Sequence, residues 1–464
     1  MGGRRRARGR LVVLMLALAA AGALTGLLVC CTAGDRTRLA IAAALAVPQL
    51  FVGPLGTMSL PLSQCWTILI AVCWLLERKE LPLGDAVLRG TLLLAAVEGA
   101  AIAWSPDPLV GVLEVARLVS FAFLVLHAVR VEREDPRGVR GPLTLVLLWA
   151  LVDALLVWAF RLSPAAESAF LHSPLASLVI GPDAMTAFFG DGANNVTDPA
   201  KSGGLFINAN VSSMFLGVAT FAFLALGVGE RGRRRRWYAA GALTTWSATF
   251  ATGSKTAAAL ALLLPVLVRG VQVLGRPGAR WFLPQAAAAV ALGAWQLPRL
   301  LERSVPGYAD ASAESLASRA PMWEFARRMV TEHLLLGLGH GGWTRTMEQF
   351  AALGIEALPP HNLFIAAWAA CGLGGVLALL ALAVTVLVRL TATVVRRAGS
   401  PLARTAAFAL GAWLWVLVHG MGDNTAVYGE SKTMILLALL VGVVTARAAR
   451  PAAAVPAQGA PCPA

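Results

Sequence analysis

The sequence predicts an all-α protein, a polytopic bundle of about twelve or thirteen transmembrane helices counted from its apolar runs. Three observations predict it. Hydrophobic residues make up 58% of the chain against 14% charged, and mean hydropathy is +0.70, far from the balance of soluble domains. Apolar runs near the ~20 residues that a bilayer crossing requires recur along most of the length. These runs are rich in Leu, Ala and Val and lack the short alternation of outer-membrane strands, so amides must be paired within helices and a barrel is excluded.

In chain order the runs fall at 11–31, 38–58, 60–76, 85–104, 109–129, 142–162, 205–228, 237–253, 255–274, 281–298, 361–388, 404–421 and 431–447. They form a single membrane domain over 1–447. The Pro/Ala-rich residues 448–464 are expected to be a disordered cytoplasmic tail. The run 38–58 contains Pro48, Gly53, Pro54 and Gly56, which suit a broken, re-entrant piece. Topology turns on this run. Counting back from "ERGRRRR" (230–236) places the N-terminus outside, whereas "GGRRRARGR" (2–10) argues for inside. Either 38–58 fails to cross or 11–31 lies in the interface.

A formal charge of +14 would suit nucleic acid, but the arginines gather in short connections at 130–140, 230–236 and 389–397. That is the positive-inside pattern. These connections are expected in the cytoplasm, and 163–204, 299–360 and 421–431 on the extracytoplasmic side of a cytoplasmic membrane. Membrane lipids are the expected surroundings and nucleic acid is not an expected partner. The cysteines Cys30, Cys31, Cys65, Cys73 and Cys371 lie in or beside apolar runs and Cys462 in the tail, with no metal-ligand spacing. They read as packing residues. "LLVCC" lacks the small residue expected before a lipidated cysteine, and no cleavable signal stands apart from the first run.

Chemistry is expected in the outer connections. In 299–360, Leu316, Ala320, Trp323, Ala326, Val330 and Leu334 recur at helical spacing, with Pro321 near the start and Gly337 at the end. This predicts an amphipathic helix along the membrane surface. Arg319 precedes its start, where unpaired amides and a partial positive charge attract phosphate; the alternative is an interfacial arginine on lipid headgroups. "GLGHGGW" (337–343) follows, whose glycines allow close backbone approach to a ligand or simply end the helix.

His361, fixed by Pro359 and Pro360 at the mouth of the next run, is an imidazole at the membrane surface, of a residue type that ordinarily titrates near about 6.5. It is either a base or an interfacial anchor. Asn362 beside it is placed to orient it or a substrate hydroxyl. "TGSKT" (252–256), with Lys255, and "HGMGDNTAVYGESK" (419–432), with Asp423, lie on the same side by this topology. Ionisable groups so placed are functional candidates, although Lys255 would also snorkel and Asp423 cap or pair. Cations, a base and a carboxylate together suit transfer from a pyrophosphate.

The order "GGLFINANVSSMFLG" (203–217), "ATGSKTAAALALLLP" (251–265), Arg319 with Trp323, "GLGHGGW", "HNLFIAAWAACGLGG" (361–375) and "HGMGD" (419–423) resembles the O-antigen ligase and polymerase family, over roughly residues 200–430. The resemblance implies a C-type, all-helical membrane glycosyltransferase that takes a glycan from an undecaprenyl-pyrophosphate carrier to an acceptor glycan or glycolipid. It implies neither metal nor cofactor, and the outer connections carry no Asp-x-Asp motif. Carried over by motif, His361 would be the base for the acceptor hydroxyl and Arg319 would bind the pyrophosphate. Lys255 stands where the family has arginine, keeping the charge but losing the bidentate fork. Asp423 would orient His361 or hold the acceptor. Asn208 and Asn210 would bind sugar hydroxyls or cap a helix. Ligases, polymerases and protein glycosyltransferases share these motifs. A transporter or flippase is the main alternative, but it is expected to keep ionisable groups near the bilayer midplane, often in two related halves, whereas here the polar motifs stand at the ends of runs.

Overall fold

The computed structural model describes residues 22–47, 51–55, 58–79, 81–82, 84–180, 185, 200–273, 320–351, 359–423 and 425–450, with scattered positions in 284–299. It is a helical membrane-type bundle. Its first part holds α1 (Gly22–Thr32), α2 (Asp35–Ala44), the strands β1 (Phe51–Leu55) and β2 (Met58–Pro61), α3 (Leu62–Leu76), α4 (Ala86–Ala101), α5 (Pro108–Glu134) and α6 (Arg140–Leu162). Two short helices follow, α7 (Pro164–Leu171) and α8 (Pro174–Ile180). The second part holds α9 (Ala209–Gly227), α10 (Gly232–Ala251), α11 (Lys255–Val273), α12 (Ala320–Glu332), α13 (Gly342–Ala351), α14 (Leu363–Arg396), α15 (Pro401–His419) and α16 (Ser431–Ala448).

Among the described residues eight helices are long and apolar enough to cross a membrane: α4 with the short turn to Trp104, α5, α6, α9, α11, α14, α15 and α16. Helix α16 is the most enclosed and packs against α5, α9 and α15. Trp413 and Trp415 are buried at the centre. Gly217 of α9 leaves the space that the Trp415 ring fills, the use of a small residue that lets membrane helices approach.

Local structure departs from expectation at two places, a hairpin where the sequence predicts a broken, re-entrant helix over 38–58 and helix where it predicts loops in the arginine-rich stretches. The run 38–58 is not one helix: α2 stops at Ala44, short of Pro48, and β1 and β2 form an antiparallel hairpin, Phe51 opposite Pro61 and Leu55 opposite Met58. Proline supplies no amide to a helix, which ends it. The arginine-rich stretches are helix ends as much as loops, with 135–139 left as the connection between α5 and α6. Helix α5 runs to Glu134 and α10 begins at Gly232, while α14 continues through 389–396, where arginine is a good helix former and no breaker intervenes before Gly399. Of the expected tail 448–464, Ala448 is the last residue of α16, and 451–464, like most of the run 281–298, lie outside the described residues.

The arginines nevertheless collect at one end of the bundle. Asp35 binds Arg38 and Lys79 at 3.0 Å and Arg130 at 2.8 Å, Arg447 binds Glu132 at 2.8 Å, and Arg389 pairs with Asp85. Arg38 also donates to the carbonyl of Cys30 at 2.7 Å, so α1 ends here. Helix α2 leaves this end along α6, and α3 returns to it, where Glu77 pairs with Arg38. The opposite end gathers the starts of α5, α9, α11, α14 and α16 with the ends of α4, α6, α10 and α15. It is held by the bonds Asp107 N to His340 O, 3.0 Å, and Leu363 N to Gly420 O, 2.8 Å.

Candidate functional site

His361 sits at that opposite end. Its φ of +44° is rare for a residue with a side chain, and its neighbours account for it. Pro360 restricts the approach from one side. On the other, Asn362 caps α14, its Oδ1 accepting from Phe364 N at 2.9 Å and Ile365 N at 3.2 Å. The Asn362 amide also donates to the Met421 carbonyl at 3.2 Å, so the start of α14 is clamped to the turn after α15.

That clamp brings three motifs together. His361 Nδ1 lies 3.8 Å from Asp423 Oδ1, and His419 Nδ1 lies 4.0 Å from Asp423 Oδ2. Asp423 is thus flanked by two imidazoles. His419 Nε2 meets Ser213 Oγ at 3.2 Å, and Ser213 donates to the Asn210 carbonyl at 2.8 Å. His361 Nδ1 is buried with no hydrogen-bond partner among the described residues. The imidazole therefore turns Nδ1 toward a carboxylate.

The other expected site residues fall as follows. Lys255, half-buried, is the first residue of α11, and Ser254 Oγ accepts from Ala257 N at 3.4 Å. The side chain of the next residue, Thr256, comes within 3.6 Å of where a Cβ on Gly422 would stand. The "TGSKT" turn therefore abuts the turn carrying Asp423. Asn210 is half-buried in the first turn of α9, while Asn208 is the cap, accepting from Asn210 N at 2.9 Å and Val211 N at 3.4 Å. Arg319 lies outside the described residues.

The amphipathic helix expected near Arg319 is present as α12, with a different buried face. Met322, Phe325, Ala326 and Met329 face inward, while Trp323 is 49% exposed and Leu334 47%. The inner face packs on Trp343, Met347, Trp368 and Ala369, and the methionines supply the apolar area that the expected face assigned to Trp323. Gly337, Gly339 and Gly341 of "GLGHGGW" adopt positive φ and seat the turn on protein. Gly337 lies against a break in α14 at Gly372, where Leu338 N reaches Ala369 O at 2.7 Å and Leu373 N reaches Leu334 O at 3.0 Å. Gly339 and Gly341 press on Ser105 and Asp107.

A cavity of about 300 Å³, bordered by Leu363 in the first turn of α14, is one that sequence reasoning did not anticipate. Leu363 and Ala366 of α14 form one wall, and Glu98, Glu114, Arg117, His340, Tyr428 and Glu430 supply polar groups. Glu114 pairs with Arg117 and accepts from the Tyr428 hydroxyl at 3.1 Å. His340 Nε2 donates to the Glu98 carbonyl at 3.0 Å. Thr425 Oγ1 is buried without a hydrogen-bond partner among the described residues. Burial, reinforced by the Asp423 carboxylate, pushes the Glu430 carboxyl up to about 7, and Arg117 and Lys432 oppose this. Burial first, then Glu114, raises the Tyr428 phenol well above its ordinary value.

The contrast between polar helix ends and apolar interiors is also corrected. Glu98, Glu114 and Arg117 lie within apolar helices, as does Asp153 of α6, whose carboxylate accepts from Leu205 N at 2.7 Å and Ser212 Oγ at 2.8 Å. Lys432 stands 4.1 Å from the centre of the Phe206 ring. A lone acid within a long apolar run was the available signal. Among the described residues no group of three or more His, Cys, Asp or Glu side chains is arranged to hold a metal ion. Compared with models of protein families and with curated proteins, the chain matches none.

Proposed function

We propose that the chain is a membrane glycosyltransferase of the O-antigen ligase or polymerase type, acting on an undecaprenyl-pyrophosphate-linked glycan at the extracytoplasmic face of the cytoplasmic membrane. One observation carries the reading: His361, at positive φ, holds Nδ1 3.8 Å from the Asp423 carboxylate. In the proposed reaction His361 Nε2 takes the proton of the acceptor hydroxyl as its oxygen attacks the anomeric carbon. The bond from that carbon to the phosphate oxygen breaks, and its electron pair leaves with undecaprenyl pyrophosphate. Asp423 stabilises the imidazolium that forms. Lys255 at the start of α11, with Arg319, offsets the charge on the leaving group. The cavity bordered by Leu363 and Ala366 seats a sugar residue, whose hydroxyls suit carboxyl and guanidinium partners.

The test is turnover by the purified protein in nanodiscs supplied with a carrier-linked glycan and an acceptor glycan. Release of undecaprenyl pyrophosphate with extension of the acceptor supports the reading. Absence of release with glycolipid acceptors, free glycans and carrier-linked repeats alike would remove it. A transporter or flippase is the second reading, favoured by one observation, the ionisable groups Glu98, Glu114, Arg117 and Asp153 within apolar helices. Movement of labelled glycolipid across a vesicle membrane without covalent transfer would select it.

A further inference from the structure

The arginine end holds a second recess, of about 690 Å³, between α2, α6 and α10. Arg36, Arg137, Arg140 and Arg234 line it, with Trp237 and Tyr238. Its charges do not balance. Glu230 pairs with Arg140 at 2.7 Å and Asp135 with Arg36 at 3.5 Å, while Arg137 and Arg234 have no ion pair among the described residues. Arg140 is held in place, its Nε and Nη2 donating to the Tyr238 hydroxyl at 3.1 and 3.0 Å.

The backbone adds to this charge. Helix α6 begins in the recess, and its cap residue, Val139, offers no side-chain acceptor. A Cβ on Gly141 would meet nothing nearer than Arg36 Nη2, at 3.8 Å. Arg140 N donates to the Arg137 carbonyl at 3.1 Å and Leu143 N to the Val139 carbonyl at 3.0 Å, so what the backbone adds beside the arginines is the Gly141 amide and the positive end of the helix. Beside them are Trp237, 39% exposed, and Leu145, 37% exposed. An amphipathic ring next to cations suits the boundary between headgroups and acyl chains.

We infer that this recess is a phosphate-recognition site occupied by the headgroup of an anionic phospholipid. Guanidinium groups match phosphate oxygens two at a time, which distinguishes this geometry from diffuse attraction between a basic surface and an acidic leaflet. The phosphate belongs among Arg36, Arg137, Arg234 and the start of α6, and an acyl chain runs past Leu145 and Trp237. The recess is at the opposite end of the bundle from His361, so the inference stands apart from the proposed glycosyl transfer.

Retention of lipid by the detergent-solubilised full chain, read by native mass spectrometry after adding phosphatidylglycerol or phosphatidylcholine, tests it. The wild type is expected to retain phosphatidylglycerol over phosphatidylcholine, and Arg137→Gln/Arg234→Gln to lose that preference by about tenfold, in line with charged hydrogen bonds. Both side chains are exposed, so the fold tolerates the change. Arg396→Gln/Arg404→Gln removes the same charge outside the recess and is expected to leave the preference intact. Equal loss in both double variants, or none in the first, overturns the site. Sodium pyrophosphate is expected to displace phosphatidylglycerol from the wild type. Pyrophosphate binding without any phosphatidylglycerol preference would overturn the lipid as its occupant.

Discussion

His361 Nδ1 lies 3.8 Å from Asp423 Oδ1 across the junction of α14 and the turn after α15. The two residues are 62 positions apart by their numbering, and the Leu363–Gly420 and Asn362–Met421 hydrogen bonds hold them in register. Such separation means that the pair forms only through the packing of α14 against the turn after α15.

If Asp423 orients His361 and stabilises its charged form, Asp423→Asn keeps the shape and loses the charge. Transfer is expected to fall by about 10–100-fold, less than on removing the base itself. Donor binding should hold. Steady-state rates beside equilibrium binding of the carrier-linked donor check this, and an undiminished rate would make the pair incidental.

Glu430 sets a pH dependence of stability. Its carboxyl rises from the ordinary 4.5 to about 7, through burial and then Asp423. The fold thus keeps a proton that the unfolded chain has released, so stability falls as pH rises across this window and levels off above it. Glu430→Gln is uncharged throughout and escapes the loss. Its melting temperature relative to wild type should therefore be a few degrees higher at about pH 8 than at about pH 5. Parallel melting curves at both values would remove the assignment.

Asn362 is committed to capping α14. Asn362→Ala should destabilise by about 0.5–2 kcal/mol, and Asn362→Ser should restore most of it. Thermal unfolding in detergent measures both. A serine variant with normal stability but impaired transfer would return Asn362 to substrate binding.

The parts legible in the sequence are those that need no tertiary information. Runs such as 142–162 and 431–447 differ from α6 and α16 by one or two residues, because hydropathy and length alone define a crossing helix. The order of motifs named His361 and Asp423, but their approach depends on how α14 meets α15. The cavity was hidden for a related reason. Glu98 and the Glu114–Arg117 pair lie in windows whose average stays apolar, and only packing reveals that these side chains share one space. The hairpin replaced half of an expected span because Pro48 and Pro54 outweighed the run's hydropathy. Helical spacing puts Trp323 on the apolar face of α12, whereas the packing of Met322, Phe325 and Met329 leaves it 49% exposed.

The central claim is that His361 takes the acceptor's proton, and the most direct measurement is donor binding and transfer rate side by side in purified His361→Ala. The account predicts unchanged binding of the undecaprenyl-pyrophosphate-linked glycan and a transfer rate lower by about 10²–10⁴-fold, the usual contribution of a general base. Near-normal turnover in that variant would contradict it and leave the histidine as a surface anchor.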